Sequence, residues 1–326
     1  MRKFLNEVTI TGDLVKSELE EKTITTKDGK QIEVITGSVY LRTADKSEFE
    51  VRLYTNKFKK DSSEETYFYK EYSKFMEDMI SIETAVEGQV PSVVTASNCE
   101  IRPNDYKSKN TGDVISSTVI NGRFLKIESQ KEAEIISKEA TFTIEGIIGK
   151  IEDEMDKNSS LTGNKTVVLY PIRQKTEDFS NENAYEVDEI YEYKCVIEQD
   201  LVAAFDSVGY YEGCFVELTG KMVNTMEVKT EVIQQAFGAP IEKKKTTIVK
   251  KNVVKSGSNP STIYDVELTD ELVEALKQRR VKKLEEIKLD VGNKQQNNNA
   301  FGKVAAPTQQ APVSPNVGYN PFAPKN

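Results

Sequence analysis
The tightest constraint on this chain is an order of elements that is written twice. From residue 7 to about 128, apolar and β-branched residues keep a period of two in five runs: "VTITGDLV" (8–15), "IEVITGSVYLRT" (32–43), "SEFEVRLYT" (47–55), "SVVTASNCEIR" (92–102) and "VISSTVINGRFLKI" (114–127). That period predicts five strands. Between the third and fourth, "EETYFYKEYSKFMEDMISI" (64–82) changes to helical spacing. The succession returns in "TFTIEGIIGKI" (141–151), "NKTVVLYPIRQ" (164–174), "IYEYKCVIEQD" (190–200), a short helix in "DLVAAFDSVGYY" (200–211), "CFVELTGKMV" (214–223) and a last strand within 228–254. Thr143, Ile144 and Gly146 repeat Thr9, Ile10 and Gly12 in register, and a repeated order of elements signals a repeated unit.

Strand, strand, strand, helix, strand, strand is the order of an OB-fold, a small Greek-key barrel. The expected fold is therefore mainly β: two tandem OB-fold-like barrels over residues 1–128 and 140–255, joined by a charged connector, 129–139. Asp28-Gly29 is expected to turn the chain between the first two strands, and the segment from Asn110 to Gly112 between the last two of the first barrel. A linker (256–267) leads to a helix over 268–289, with Thr269 as N-cap and an apolar stripe of Leu272, Leu276, Leu284 and Ile287. The Asn/Gln/Pro/Ala-rich tail, 290–326, has too few apolar residues to build a core and is expected to be disordered.

Catalytic classes fare poorly. The chain has no histidine, so zinc centres and His-based acid–base sites lack their best-suited side chain. Phosphate-cradling and hydrolase motifs are missing, and the Gly146-x-x-Gly149 pair fits strand packing better than phosphate binding. No enzyme activity, metal or cofactor is expected. Cys99, Cys195 and Cys214 sit apart in apolar runs and read as buried, reduced thiols of a cytoplasmic protein. No apolar segment approaches the roughly 20 residues of a membrane span, so no membrane partner is expected. The formal net charge of −9 argues against a uniformly basic binding surface. Binding, however, depends on where cations cluster.

Alternation assigns the faces. Ile35, Val39 and Leu41 share one parity of the second strand, and Phe49, Val51 and Leu53 one parity of the third. If these fill the barrel, Tyr40, Arg42, Arg52 and Tyr54 point outward from neighbouring strands. Two rings and two guanidinium groups there suit a stacking platform, a ring for each base and a cation for its phosphate; in any single strand, Tyr also serves simply as a good β-former. In "IRPNDYKSKNTGDVISSTVINGRF" (101–124), Tyr106 sits on the expected loop among Arg102, Lys107 and Lys109, with Arg123 following in the last strand. Lys57 and Phe58 follow the third strand. The second barrel offers Tyr170, Arg173 and Lys175 with Tyr191 and Tyr193, and "IEKKKTTIVKKNVVK" (241–255) supplies Lys243, Lys244, Lys245, Lys250 and Lys251 for tracking phosphates.

"NEVTITGDLV", the 101–124 stretch and the Gln/Asn/Pro tail resemble the single-stranded DNA-binding proteins of bacteria and their phages, over about 5–127 and more loosely 140–254. The resemblance implies sequence-tolerant binding of single strands in replication, recombination and repair, in a tandem-barrel, phage-type form. Carried onto this chain it touches Tyr40, Arg42, Arg52, Tyr54 and Tyr106. The family's stacking Trp residues are absent, so Tyr and Phe must serve. Its terminal Pro-Phe has an internal counterpart, Pro321-Phe322, a candidate for docking replication or recombination proteins together with the C-terminal helix. The alternative from another class is a non-catalytic OB-fold module that binds or recruits proteins.

Overall fold
The computed structural model describes residues 1–289 apart from 27, 157, 158, 177, 179, 182, 234–236 and 238–240. The expected tail, with Pro321 and Phe322, lies outside the described residues. The first unit contains β1 (Asn6–Ser17), β2 (Glu20–Thr25), β3 (Gln31–Arg42), β4 (Glu48–Asn56), α1 (Tyr67–Asp78), β5 (Val93–Lys107), β6 (Val114–Asn121) and β7 (Phe124–Ile127). β1 pairs with β3, β3 with β4, β4 in parallel with β6, β6 with β5, and β5 back with β1, which closes a five-stranded Greek-key barrel of the OB kind. Ile10, Val39, Leu41, Val51, Leu53 and Val94 fill it, each fully buried. Thr66 caps α1 by accepting a hydrogen bond from Tyr69 N, and Tyr72 and Phe75 of that helix join the same core.

The second unit repeats the path: β8 (Ala140–Met155), β9 (Leu161–Lys175), β10 (Glu186–Ile190), β11 (Tyr193–Ile197), α3 (Gln199–Val208), β12 (Phe215–Ile233) and β13 (Ile241–Gly257). β8 pairs with β9, β9 with β11, β11 in parallel with β13, β13 with β12, and β12 with β8. The two barrels join through their first strands. Stepping the Thr9/Thr143 repeat back by one residue makes Val8 equivalent to Phe142, and these two oppose each other in the antiparallel β1–β8 pairing. A local two-fold axis therefore passes between them, and one sheet runs through both barrels.

The repeated glycines follow from packing. A Cβ on Gly12 would lie 2.5 Å from the carbonyl oxygen of Arg42, and one on Gly146 would lie 2.7 Å from that of Tyr170. Each lets the second strand of its barrel cross close to the first. Gly12→Ala should push backbone against backbone and lower stability by about 1–3 kcal/mol; urea unfolding followed by circular dichroism would show the shifted midpoint.

Several expectations need correction. The Asp28-Gly29 turn belongs to the added hairpin β2–β3 and does not join the first two barrel strands. The long last strand breaks after Asn121, and β7 turns aside to pair with β5. The connector holds a helical turn, α2 (Gln130–Ile135), capped by Ser129 and Glu132. Residues 256 and 257 continue β13, and Ser261 bridges Phe215, so the expected linker is tied to the second barrel. α4 (Asp270–Lys288) starts at Thr269 as expected, but Val273 and Leu276 bury against Phe4, Ile147, Ile190 and Phe215, so that part of its apolar face is occupied within the chain.

Candidate nucleic-acid interface
The β3–β4 register opposes Tyr40 to Glu50, Arg42 to Glu48, Ser38 to Arg52 and Thr36 to Tyr54. With the other parity buried, Tyr40, Arg42, Arg52 and Tyr54 share the outer face. The same register brings carboxylates to both cations: Arg42 Nη2 lies 2.7 Å from Glu48 Oε1, and Arg52 Nε lies 2.9 Å from Glu50 Oε1. Glu48 and Glu50 share the parity of Arg52 and Tyr54, but their pairing with the cations follows from the register and not from alternation. The Arg42–Glu48 pair is accessible and worth about 0–1 kcal/mol, so a phosphate can displace it, whereas Arg52–Glu50 is half-buried and Ser38 Oγ also donates to Glu50 at 2.9 Å. Lys16 Nζ sits 4.3 Å from the Tyr40 ring centroid, and the Tyr40 phenol donates to Glu18 at 3.1 Å. Burial first, then the Glu50 and Glu18 charges, push that phenol up to about 12, which keeps it protonated at neutral pH. The Tyr54 phenol donates to Asn56 at 2.8 Å.

Around this face the candidates divide. Lys57 pairs with Glu33, and its Nζ lies 5.5 Å from the rings of both Phe58 and Tyr69. Arg102 pairs with Glu100 at 2.8 Å. Tyr106 lies in a strand, correcting the expected loop: β5 runs to Lys107, and Tyr106 opposes Ile115 across the β5–β6 hairpin, exposed on the same parity as Arg102. Lys107 takes the other parity, and Lys109 is exposed in the turn. Arg123 sits between β6 and β7 and close to β4 in register, since Asn121 pairs with Arg52 and Gly122 N donates to Arg52 O at 2.8 Å, and its guanidinium lies 5.1 Å from the Phe68 ring centroid.

Among the described residues the second barrel offers no matching platform. Tyr191 and Tyr193, expected as stacking rings, are buried, at 1% and 2% exposure. Tyr191 donates to Ile101 O at 2.7 Å and so ties the barrels together, while Tyr193 packs edge-on against Phe142. Tyr170 is half-buried, filling the space a Cβ on Gly149 would need. Arg173 is drawn to Asp188 and Glu189, at 3.6 and 3.5 Å. The basic run is one strand of a ribbon extending beyond the barrel, in which Lys243, Lys244 and Lys245 oppose Glu231, Thr230 and Lys229, and Lys250 and Lys251 oppose Asn224 and Val223. Lys250 and Lys251 are exposed. The base of the ribbon crosses to the first barrel, where Asn224 N donates to Ser47 Oγ at 2.9 Å and Asn224 Nδ2 to Glu48 O at 2.5 Å. That crossing brings the ribbon to the Arg42–Glu48 end of the platform.

The β5–β6 hairpin makes the reciprocal crossing and is clamped by α4. Arg280 Nη2 donates to Asp105 at 2.6 Å and to Ser116 at 2.8 Å, and Arg280 Nη1 to Glu189 at 3.1 Å. Lys283 adds a second pair to Glu189. The clamp is invisible in the sequence, where "KQRRVKKLEE" reads as an ordinary solvated helix face. Among the described residues no helix is long and apolar enough to cross a membrane.

Comparison with known proteins gives one family and several structures. The family model described as YorF matches residues 5–290. No curated protein matches. The wild-type single-stranded DNA binding protein from Thermus aquaticus is similar at 11% identity, covering 79% of this chain and 94% of that one, with a TM-score of 0.41. A replication protein A heterotrimer bound to ssDNA is similar at 11% identity over 76% of this chain and 49% of that one, with a TM-score of 0.23.

Proposed function
We propose that this chain, which belongs to the YorF family, binds single-stranded DNA without strong sequence preference and acts by coating and protecting strands in phage DNA replication, recombination and repair. The observation that carries the reading is the outer face of β3 and β4, where Tyr40 and Tyr54 offer rings and Arg42 and Arg52 offer guanidinium groups. Bases stack on rings whatever their identity, and the cations take the phosphates. Arg102 and Tyr106 extend the surface along the hairpin, and Lys250 and Lys251 lie on the ribbon that reaches the platform's edge. One strand is thereby shared by both barrels of a single molecule, and cytoplasmic DNA is the substrate. Protein partners in replication are proposed for the C-terminal region.

The test is a titration of fluorescent dT, about 30 nucleotides long, at two salt concentrations beside the matching duplex. We expect the single strand to be preferred, with log K falling against log salt by about 0.7 per phosphate neutralised. Equal affinity for duplex, or no binding at low salt, would sink the reading and leave a protein-binding OB module.

A further inference from the structure
The outer parity of β4 that carries Arg52 and Tyr54 runs on to Phe58, which is 41% exposed and bridged to Glu65. Two residues later α1 begins with Tyr67, 59% exposed although Tyr69, Tyr72 and Phe75 of the same helix are buried. Tyr67 meets Phe68 edge-on at 5.4 Å, and Phe68 meets Phe124 at 5.1 Å. Arg123 lays its guanidinium over both phenylalanines, 5.1 and 6.0 Å from their centroids. Tyr67, Lys70 and Lys74 recur at helical spacing and share one face of α1.

Charge distinguishes this surface from the platform. Arg42, Arg52, Lys57 and Arg102 each hold a carboxylate. Arg123, Lys70 and Lys74 hold none among the described residues, and Glu64, the acid that Lys70 influences, is occupied by Lys59 at 2.7 Å. A guanidinium stacked on rings keeps its N–H edge free for a phosphate, and an exposed ring beside it suits a base. An acidic peptide would satisfy the cations but leave the rings uncovered.

We infer that the α1–β7 surface is a second binding surface for the same single strand, reached around the end of β4 through Phe58; this rests on the strand-binding reading above. The strand then wraps from the outer face onto the helix side of the first barrel, and only oligonucleotides long enough to turn that corner use both surfaces.

Binding of dT of about 12 and about 40 nucleotides would be compared for the intact protein, the Tyr67→Ala/Arg123→Ala variant and the Lys70→Glu/Lys74→Glu variant. The second variant alters only exposed positions, which guards against a folding defect. Both should lose about tenfold or more on the long strand, with a salt slope shallower by about 0.7 for each phosphate that is no longer neutralised, and the Lys70→Glu/Lys74→Glu variant should stay within about twofold of the intact protein on the short one. Unchanged affinity and slope on the long strand, while the intact protein binds both lengths, would overturn this inference alone. Failure of the intact protein to bind either length would overturn the strand-binding reading and this surface with it. Capture of poly-glutamate by the intact protein but not by the variants, with dT binding unaffected, would reassign the surface to an acidic protein partner.

Discussion
Arg280→Ala should be among the most destabilising single substitutions in the chain, lowering stability by about 3–5 kcal/mol. The Arg280 side chain is 12% exposed and stands between two carboxylates, Asp105 at 2% and Glu189 at 10%. Removing the guanidinium leaves both acids largely out of water, with Lys283 still facing the pair and Arg173 still facing Glu189 at 3.5 Å. Burial alone would raise the Asp105 carboxyl, but the Arg280 and Ser116 hydrogen bonds outweigh it and hold the group below the usual carboxylate range. A carboxyl depressed on folding contributes stability in full above its unfolded value, and the contribution fades as pH falls through the lower folded value. The gap between the two proteins should therefore be widest near neutrality and close in acid. Thermal unfolding of both across pH 3–7 would check it; a gap independent of pH would mean that Arg280 acts by packing alone. Because the clamp reaches from α4 to the β5–β6 hairpin, the variant should also loosen the strand carrying Tyr106, which hydrogen exchange in residues 102–119 would report.

How far the sequence could be read depended on whether a feature was local. The barrels follow from a period of two and a helix at a fixed place in the order, both of which a short window displays. The outward set Tyr40, Arg42, Arg52 and Tyr54 follows from parity in the same way. Register is not local. That Arg42 opposes Glu48, or that Asn224 reaches Glu48 from the other barrel, depends on pairings between distant segments. Tyr191 and Tyr193 misled because no clean parity could be read from 190–200 taken as one strand, whereas β10 ends at Ile190 and β11 begins at Tyr193. From Tyr191 on, burial alternates, with Tyr191, Tyr193 and Cys195 inward and Glu192 and Lys194 exposed, so both rings turn into the core. The clamp was the hardest to foresee, since Arg280 and Asp105 are separated by 175 positions and only the packing of Val273 and Leu276 brings the helix to the hairpin.

The other large effect is expected on binding. Tyr40→Ala and Tyr54→Ala should each weaken single-strand affinity by about 1–3 kcal/mol, roughly 5- to 150-fold, if each ring carries a base. The phenylalanine variants separate stacking from structure. Tyr40→Phe gives up the phenol's hydrogen bond to Glu18, and Tyr54→Phe the one to Asn56, while each keeps its ring. Both should therefore bind close to the intact protein. If Tyr→Phe weakens binding as much as Tyr→Ala, the phenols and not the rings are needed, and the stacking platform fails. The acids on the same face give a prediction of opposite sign. Glu48→Gln and Glu50→Gln release Arg42 and Arg52 from their pairs and remove two negative charges from the phosphate's path. With such pairs worth about 0–1 kcal/mol, affinity should rise by about two- to fivefold and the salt dependence should steepen. An increase on removing an acid, together with a loss on removing a ring, is what a shared base-and-phosphate surface requires; a protein-binding face has no reason to couple the two in that way.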